Sequence, residues 1–222
     1  MINDFENSLI ENIDNQNDKE KEIISFLLSN GISAEKSKMI TEKLYYKFYN
    51  LYNIVNASKN ELIKIKGLGN KRAELLKSLP KILEYYLLSR LKLSTFHFNK
   101  KDLIDYLIIK FGKLKFEAFS IICLDINKRF ISIEQIFRGT IDSATIYPND
   151  LVEKSLSLGA SYVIISHNHP SGISKPSKED IEITKILYKA FLIVNIKMID
   201  HLIIAGDSIY SFRESGILDD LN

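Results

Sequence analysis

The stretch that most constrains this chain is Ser161 to Asp180, SYVIISHNHPSGISKPSKED. It opens with Tyr162-Val163-Ile164-Ile165, a β-branched run of the kind that fills a buried strand. Ser166 ends the run, and His167 and His169 follow. Side chains two apart at the mouth of a strand point the same way, so both imidazoles can converge on one point. Pro170, Gly172 and Pro176 then disfavour regular structure and make a constrained loop. Beyond Ser177-Lys178-Glu179-Asp180, the spacing of Ile181, Thr184, Leu187 and Ala190 predicts a helix with Asp180 on its first turn. Two neutral imidazoles and a carboxylate make a three-ligand set for Zn²⁺ with a fourth position left for water, the form of a catalytic metal site. A plainer reading stands beside it. Ser177-x-x-Asp180 is also a capping box, and His-Asn-His alone is ordinary polar loop. The combination is sharper than its parts: two of only four histidines lie here, with Ser177 eight and Asp180 eleven residues beyond His169.

At 222 residues the chain has room for one or two domains with a sizeable core. No apolar run approaches a membrane span, and the N-terminus is acidic where a signal peptide would be basic, so the expectation is a cytoplasmic protein with no membrane partner. The single cysteine, Cys123, lies in an apolar run and reads as a small buried hydrophobe. One cysteine excludes an internal disulfide and the C-x-x-C zinc sites.

Charge is unevenly distributed. Met1 to Glu22 carries seven acidic and two basic side chains, and Ile23 to Lys92 five acidic and thirteen basic. The basic segment reads either as a polyanion-binding surface or as ordinary solvated helix faces. Residues 1 to about 20 show no hydrophobic periodicity and read as a loose lead-in. From Glu22 to about Lys92 the pattern is helical. A short helix starts at Ile23 and ends at Asn30-Gly31, and a longer one runs from Glu35 to Tyr49, its tyrosines serving either core packing or base stacking. Ser58-x-x-Glu61 is a capping box opening a helix through Ile65. Lys66-Gly67-Leu68-Gly69-Asn70-Lys71-Arg72-Ala73 follows, then a second helix through Leu79. Helix, Gly-Leu-Gly turn, helix resembles the helix-hairpin-helix. In that arrangement Gly67 and Gly69 bring amides to a helix N-terminus that can hold a phosphate oxygen, with Lys71 and Arg72 adding charge. Such contacts go to the DNA backbone and are independent of sequence. The alternative is a hairpin used only for packing.

Residues 93–99 read as a linker, which sets the expected domains at 1–92 and 93–222. In the second, Lys101 to Phe111 predicts a helix, Phe119 to Ile122 and Phe130 to Ile133 a pair of strands about Asn127-Lys128, and Ala144 to Tyr147 a third strand. Pro148-Asn149-Asp150 opens a helix that Gly159 ends. Val194 to Met198 and His201 to Ala205 read as two strands, with a last one at Ile209 to Phe212. The expected fold class is α+β, a small all-α domain followed by an α/β/α domain with a mixed sheet.

H-x-H, a spacer and S-x-x-D, with a glutamate well upstream, resembles the JAMM (MPN, JAB) metalloprotease motif. More closely, H-N-H-P-S-G followed by P-S-x-x-D resembles the bacterial RadC family, and the likeness extends to Gly139–Pro148 (G-T-I-D-x-A-x-I-Y-P), Asp200–Ile204 (D-H-L-I-I) and Ser211–Gly216 (S-F-R-E-S-G). Where that family usually has arginine this chain has Asn149, and where it has Asp-Pro this chain has Ile173-Ser174. The resemblance implies that His167, His169 and Asp180 hold Zn²⁺, that Ser177 stabilises an oxyanion, and that Glu117 is the upstream glutamate acting as general base, with Glu134 its competitor. His201 is then either a group behind the ligands or a buried, hydrogen-bonded histidine. The implied function is a zinc-dependent hydrolase of amide, peptide or isopeptide bonds acting on a protein or peptide. The competing class is a DNA-associated repair or binding protein that works through its hairpin while the metal site stands idle.

Overall fold

The structure, a computed structural model, describes residues 17–93, 99–139 and 146–221. The chain forms two compact units, Met1–Ile82 and Leu83–Asn222. They part inside a helix, earlier than the linker expected at residue 93.

The first unit is helical: α1 (17–28), α2 (Ala34–Phe48), α3 (Leu51–Asn56), α4 (Lys59–Ile63) and the first half of α5 (Gly69–Leu93). Ser33 caps α2 by accepting from the Lys36 amide, Asn50 caps α3, and Ser58 with Glu61 closes the expected capping box on α4. The described part of α1 already includes residues 17–20, inside the stretch expected to be loose, and Ile24 and Leu28 are buried and anchor it; residues 1–16 lie outside those described. Ile40, Leu44, Ile54, Leu62 and Leu68 complete this core. The tyrosines at the end of α2 divide, since Tyr45 is buried whereas Tyr46 is 88% exposed and Tyr49, at the C-cap, 79% exposed. In the turn between α4 and α5, Leu68 is fully buried, and Gly67 and Gly69 have φ of 98° and 69°, the left-handed region that only glycine enters without strain. α5 does not stop at Leu79 as expected. It carries Pro80 inside it and continues to Leu93, where Leu87 and Leu91 find burial.

The second unit is built on a five-stranded mixed sheet: β1 (Glu117–Leu124), β2 (Phe130–Gly139), β3 (Tyr162–Asn168), β4 (Lys197–Ala205) and β5 (Ser208–Ser211), in the order β2-β1-β3-β4-β5. Only β3 and β4 are parallel, and the helix between them, α8 (Lys178–Ile193), is the crossover. Side chains alternate between the two faces of the sheet, and along β1 and β3 both faces are buried. Phe119, Ile121 and Cys123 of β1 and Val163 and Ile165 of β3 face a core with Leu151 of α7 (Pro148–Ser157) and Ile183, Leu187 and Phe191 of α8. Ala118, Ile122, Leu124, Ile164 and Leu202 face the opposite core, with Leu103, Tyr106 and Phe111 of α6 (Lys100–Phe111). Helices therefore cover both faces of the sheet, the expected α/β/α arrangement. Each fully buried leucine contributes roughly 1.5–3 kcal/mol of transfer free energy.

Two expectations are corrected. Ile146 and Tyr147 are not strand: Tyr147 occupies the N-cap position of α7 with Pro148 behind it, and residues 144 and 145 lie outside those described. The two strands read at 194–198 and 201–205 are the single strand β4. Val163 pairs with Met198 and Ile164 with Asp200, so Ile199 is an extra residue absorbed as a bulge, while Val194 caps α8.

Candidate metal centre

Strand parity decides which way the histidines face. His167 has the parity of Val163 and Ile165, so it emerges on the α8 side of the sheet, opposite Phe119 of β1 and Ile203 of β4. His169 lies just past the end of β3, but its amide still donates to the Ile204 carbonyl at 2.8 Å, which keeps it in line with the strand. Asp180 reaches the same place from α8, where the Ser177 capping box fixes the first turn. The three side chains meet: His167 Nε2 to His169 Nε2 is 3.0 Å, His167 Nε2 to Asp180 Oδ1 3.0 Å, and His169 Nε2 to Asp180 Oδ2 3.3 Å. His167 and Asp180 are buried and His169 is half-buried.

The capping box and the ligand set, alternatives in the sequence, coexist in one carboxylate. Asp180 Oδ2 accepts from the Ser177 amide and hydroxyl, both at 2.7 Å, and Oδ1 is turned toward His167. Burial by itself would raise the Asp180 pKa. The hydrogen bonds with His167 and His169, the charge of His167 and the Ser177 hydroxyl outweigh it and hold this carboxyl far below the usual carboxylate range. His169 moves up, chiefly through its hydrogen bond to Asp180 and against burial, with the Ile173 carbonyl and the charges of Asp180 and Glu117 adding to the rise.

The donor set is chemically suited to a cation. His169 Nδ1 lies 2.8 Å from the Ile173 carbonyl, which can only accept, so Nδ1 carries the hydrogen and the neutral ring has its lone pair on Nε2. That lone pair points at another imidazole nitrogen and a carboxylate, an arrangement that a proton or a metal ion must bridge. This His-His-Asp group can hold a metal ion.

Glu117 has the parity of Phe119 and so shares the face of His167. Continuing the antiparallel register of Phe119 with His167 puts it across from His169, whose ring feels its charge. Its competitor Glu134 pairs with Ile121 in mid-strand and bridges Lys154 of α7 at 3.4 Å, which removes it from the cluster. Ser177 is at the rim, its hydroxyl proton directed at Asp180 Oδ2.

Three further residues escaped the sequence reading of the site or were left open in it. Asn168, between the histidines, points to the other face, where its side chain accepts from the Ala118 amide at 2.8 Å and donates to the Phe116 carbonyl at 3.1 Å. It holds the backbone on both sides of Glu117. Alternation along the strand was the signal for it. His201, from β4, is fully buried, and its Nε2 lies 2.8 Å from His167 Nδ1. Burial first, and the neighbouring His167, push its pKa well below the ordinary imidazole value, so it is neutral. Thr184, one turn after Asp180 on α8, lies 2.6 Å from His201 Nδ1.

Among the hairpin residues, Lys71 is exposed, but Arg72 is engaged elsewhere. Its guanidinium donates to the carbonyls of Leu28 and Asn30 at 2.8 and 2.7 Å, capping the C-terminus of α1. A phosphate contact of the kind expected of Arg72 would compete with these two bonds.

Comparison with known proteins agrees with the fold. The chain is similar to UPF0758 proteins of Methylibium petroleiphilum (34% identical over 198 residues, 89% of each chain), Pseudoalteromonas translucida (33% over 197 residues, 89% of this chain and 88% of the relative) and Variovorax paradoxus (32% over 199 residues, 89% and 88%). Among the described residues no helix is long and apolar enough to cross a membrane. The family model for the RadC-like JAB domain matches residues 98–217, the span that carries the sheet, α8 and the His-His-Asp cluster, and the chain thus belongs to the RadC family.

Proposed function

We propose that this protein is a zinc-dependent hydrolase of amide, peptide or isopeptide bonds. The observation that carries the reading is the convergence of His167, His169 and Asp180, with Glu117 on the same face of the sheet. A bound zinc supplies Lewis acidity, polarising a carbonyl and making water nucleophilic at neutral pH. His167, His169 and Asp180 are the residues that would hold it. Glu117 accepts a proton at its carboxylate from the attacking water and returns it to the departing nitrogen. Ser177 serves the oxyanion by trading its hydrogen bond to Asp180 for one to the substrate oxygen. The test is metal analysis joined to turnover of peptide and lysine-linked isopeptide panels. We expect close to one zinc per chain, cleavage abolished by chelation and restored by zinc, and loss of the metal in His169→Ala. Full zinc occupancy surviving His169→Ala removes the site.

A second reading rests on a separate observation, an open groove of about 1240 Å³ in the helical unit. Lys43, Lys47, Lys64 and Lys66 line it together with the exposed Tyr46 and Tyr49, and Lys64 and Lys66 lead into the Gly67–Gly69 turn. Lysines for a phosphate backbone beside aromatic faces for bases suit a nucleic acid. On this reading the protein is DNA-associated and binds without regard to sequence. Binding should fall steeply with salt and weaken in Lys64→Ala/Lys66→Ala. No binding at low salt leaves the hairpin a packing device.

A further inference from the structure

We infer that His201 and Thr184 are positioning residues of the metal centre: they set which nitrogen of His167 carries the hydrogen, and so present its other nitrogen to the metal. The inference rests on the metal reading above. A histidine ligand needs its inward nitrogen bare, which requires its outward N–H to be held by an acceptor, commonly a carboxylate, a carbonyl or a water. His169 has such a partner in the Ile173 carbonyl. His167 does not. Its outward nitrogen meets another imidazole, His201, which can donate or accept at that contact, so the tautomer of His167 has to be decided further along.

Thr184 decides it. Its hydroxyl donates to the Asp180 carbonyl one turn back, as threonine commonly does inside a helix. With its one hydrogen spent there, the Thr184 oxygen can only accept from His201 Nδ1, 2.6 Å away. Neutral His201 then has a bare Nε2, and the 2.8 Å contact with His167 Nδ1 is a bond only if His167 donates. Any hydrogen on His167 Nε2, which faces His169 and Asp180 at 3.0 Å, is then the bridging proton that a metal replaces, leaving that nitrogen bare. The path starts at the Asp180 backbone and returns to the Asp180 side chain, so one closed ring ties β3, β4 and α8 together around the cluster. His201 has no freedom to escape the ring: it is fully buried, stacked on Phe212 at 4.7 Å and met edge-on by Phe119 at 5.8 Å.

Thr184→Val is the decisive variant, because it keeps the shape of the side chain, removes only the hydroxyl, and touches neither histidine ligand directly. Without an acceptor at Nδ1, His201 should carry its hydrogen on Nε2 and donate to His167, forcing the His167 hydrogen inward to where a metal would sit. Two readouts follow. In full-length metal-free protein at a pH where the rings are neutral, ¹⁵N NMR should find His167 hydrogenated at Nδ1 in the wild type and at Nε2 in Thr184→Val. In chelator competition with Zn²⁺, Thr184→Val should bind about 10–100-fold more weakly than wild type, and Thr184→Ser should recover the affinity. The same His167 tautomer in wild type and Thr184→Val overturns the inference, as does undiminished zinc affinity in Thr184→Val. A wild type that binds no zinc overturns the metal reading instead, and the NMR comparison still judges the relay.

Discussion

Asp180→Asn should separate two duties that share one carboxylate. Oδ2 closes the α8 capping box through the Ser177 amide and hydroxyl, and Oδ1 faces His167. Asparagine keeps an oxygen for the Ser177 amide but removes the negative charge from the helix N-terminus. Cap substitutions cost about 0.5–2 kcal/mol and lost charge–dipole attraction about 0.3–1 kcal/mol. The metal-free variant should therefore be destabilised by about 1–2 kcal/mol, which for a unit spanning Leu83–Asn222 lowers Tm by roughly 2–8 °C. The zinc-dependent part is larger. At free zinc 100 times Kd, binding stabilises the wild type by about 2.7 kcal/mol, a rise in Tm of roughly 5–11 °C. If about 12 kcal/mol of zinc binding is shared equally among the three protein ligands and a water, losing one raises Kd about 100-fold. Free zinc then equals Kd, and the remaining stabilisation is about 0.4 kcal/mol, roughly 1 °C. Calorimetry of both proteins with and without zinc reads all four states. A full zinc-induced rise in Asp180→Asn refutes Asp180 as a ligand, and a metal-free variant that does not fold refutes the division of labour between its oxygens.

Three other outcomes are expected. Glu117→Gln should keep its zinc and lose about 10²–10⁴ in turnover, while Glu134→Gln, which disturbs only the bridge to Lys154, should leave turnover unchanged; the reverse result would exchange their roles. Arg72→Ala should loosen the end of α1, seen as faster amide exchange in residues 24–31, whereas Lys71→Ala should leave exchange unaltered; equal behaviour would deny Arg72 its clamp. Because the His169 pKa is raised in the folded, metal-free protein, protonating His169 stabilises that protein below the unfolded imidazole pKa, and this stability disappears as pH rises through the folded value. Zinc must displace that proton, so its affinity should begin to fall at a pH above the ordinary imidazole range; isothermal titration across pH 6–8 showing a constant affinity would contradict this.

Much of this protein was legible in its sequence because the relevant signals are local. The β-branched run before His167, the proline and glycine loop, the capping box at Ser177 and the Gly67-Leu68-Gly69 turn each specify a conformation through nearest neighbours, and the element types followed. The continuity of β4 was not legible, because only its pairing with β3 absorbs Ile199 as a bulge. The reach of α5 past Pro80 was hidden too, since burial of Leu87 and Leu91 outweighs a local break signal. Motif and spacing named His167, His169, Asp180 and Glu117, but spacing could not say that one oxygen of Asp180 both caps a helix and faces His169 while the other faces His167. Nor could it separate Glu117 from Glu134, or give Arg72 its place on the carbonyls of α1. Those are choices among hydrogen-bond partners far apart in sequence. Thr184, His201 and His167 become one chain only when a helix and two strands are packed side by side, and that packing alone decides which nitrogen of His167 is left bare.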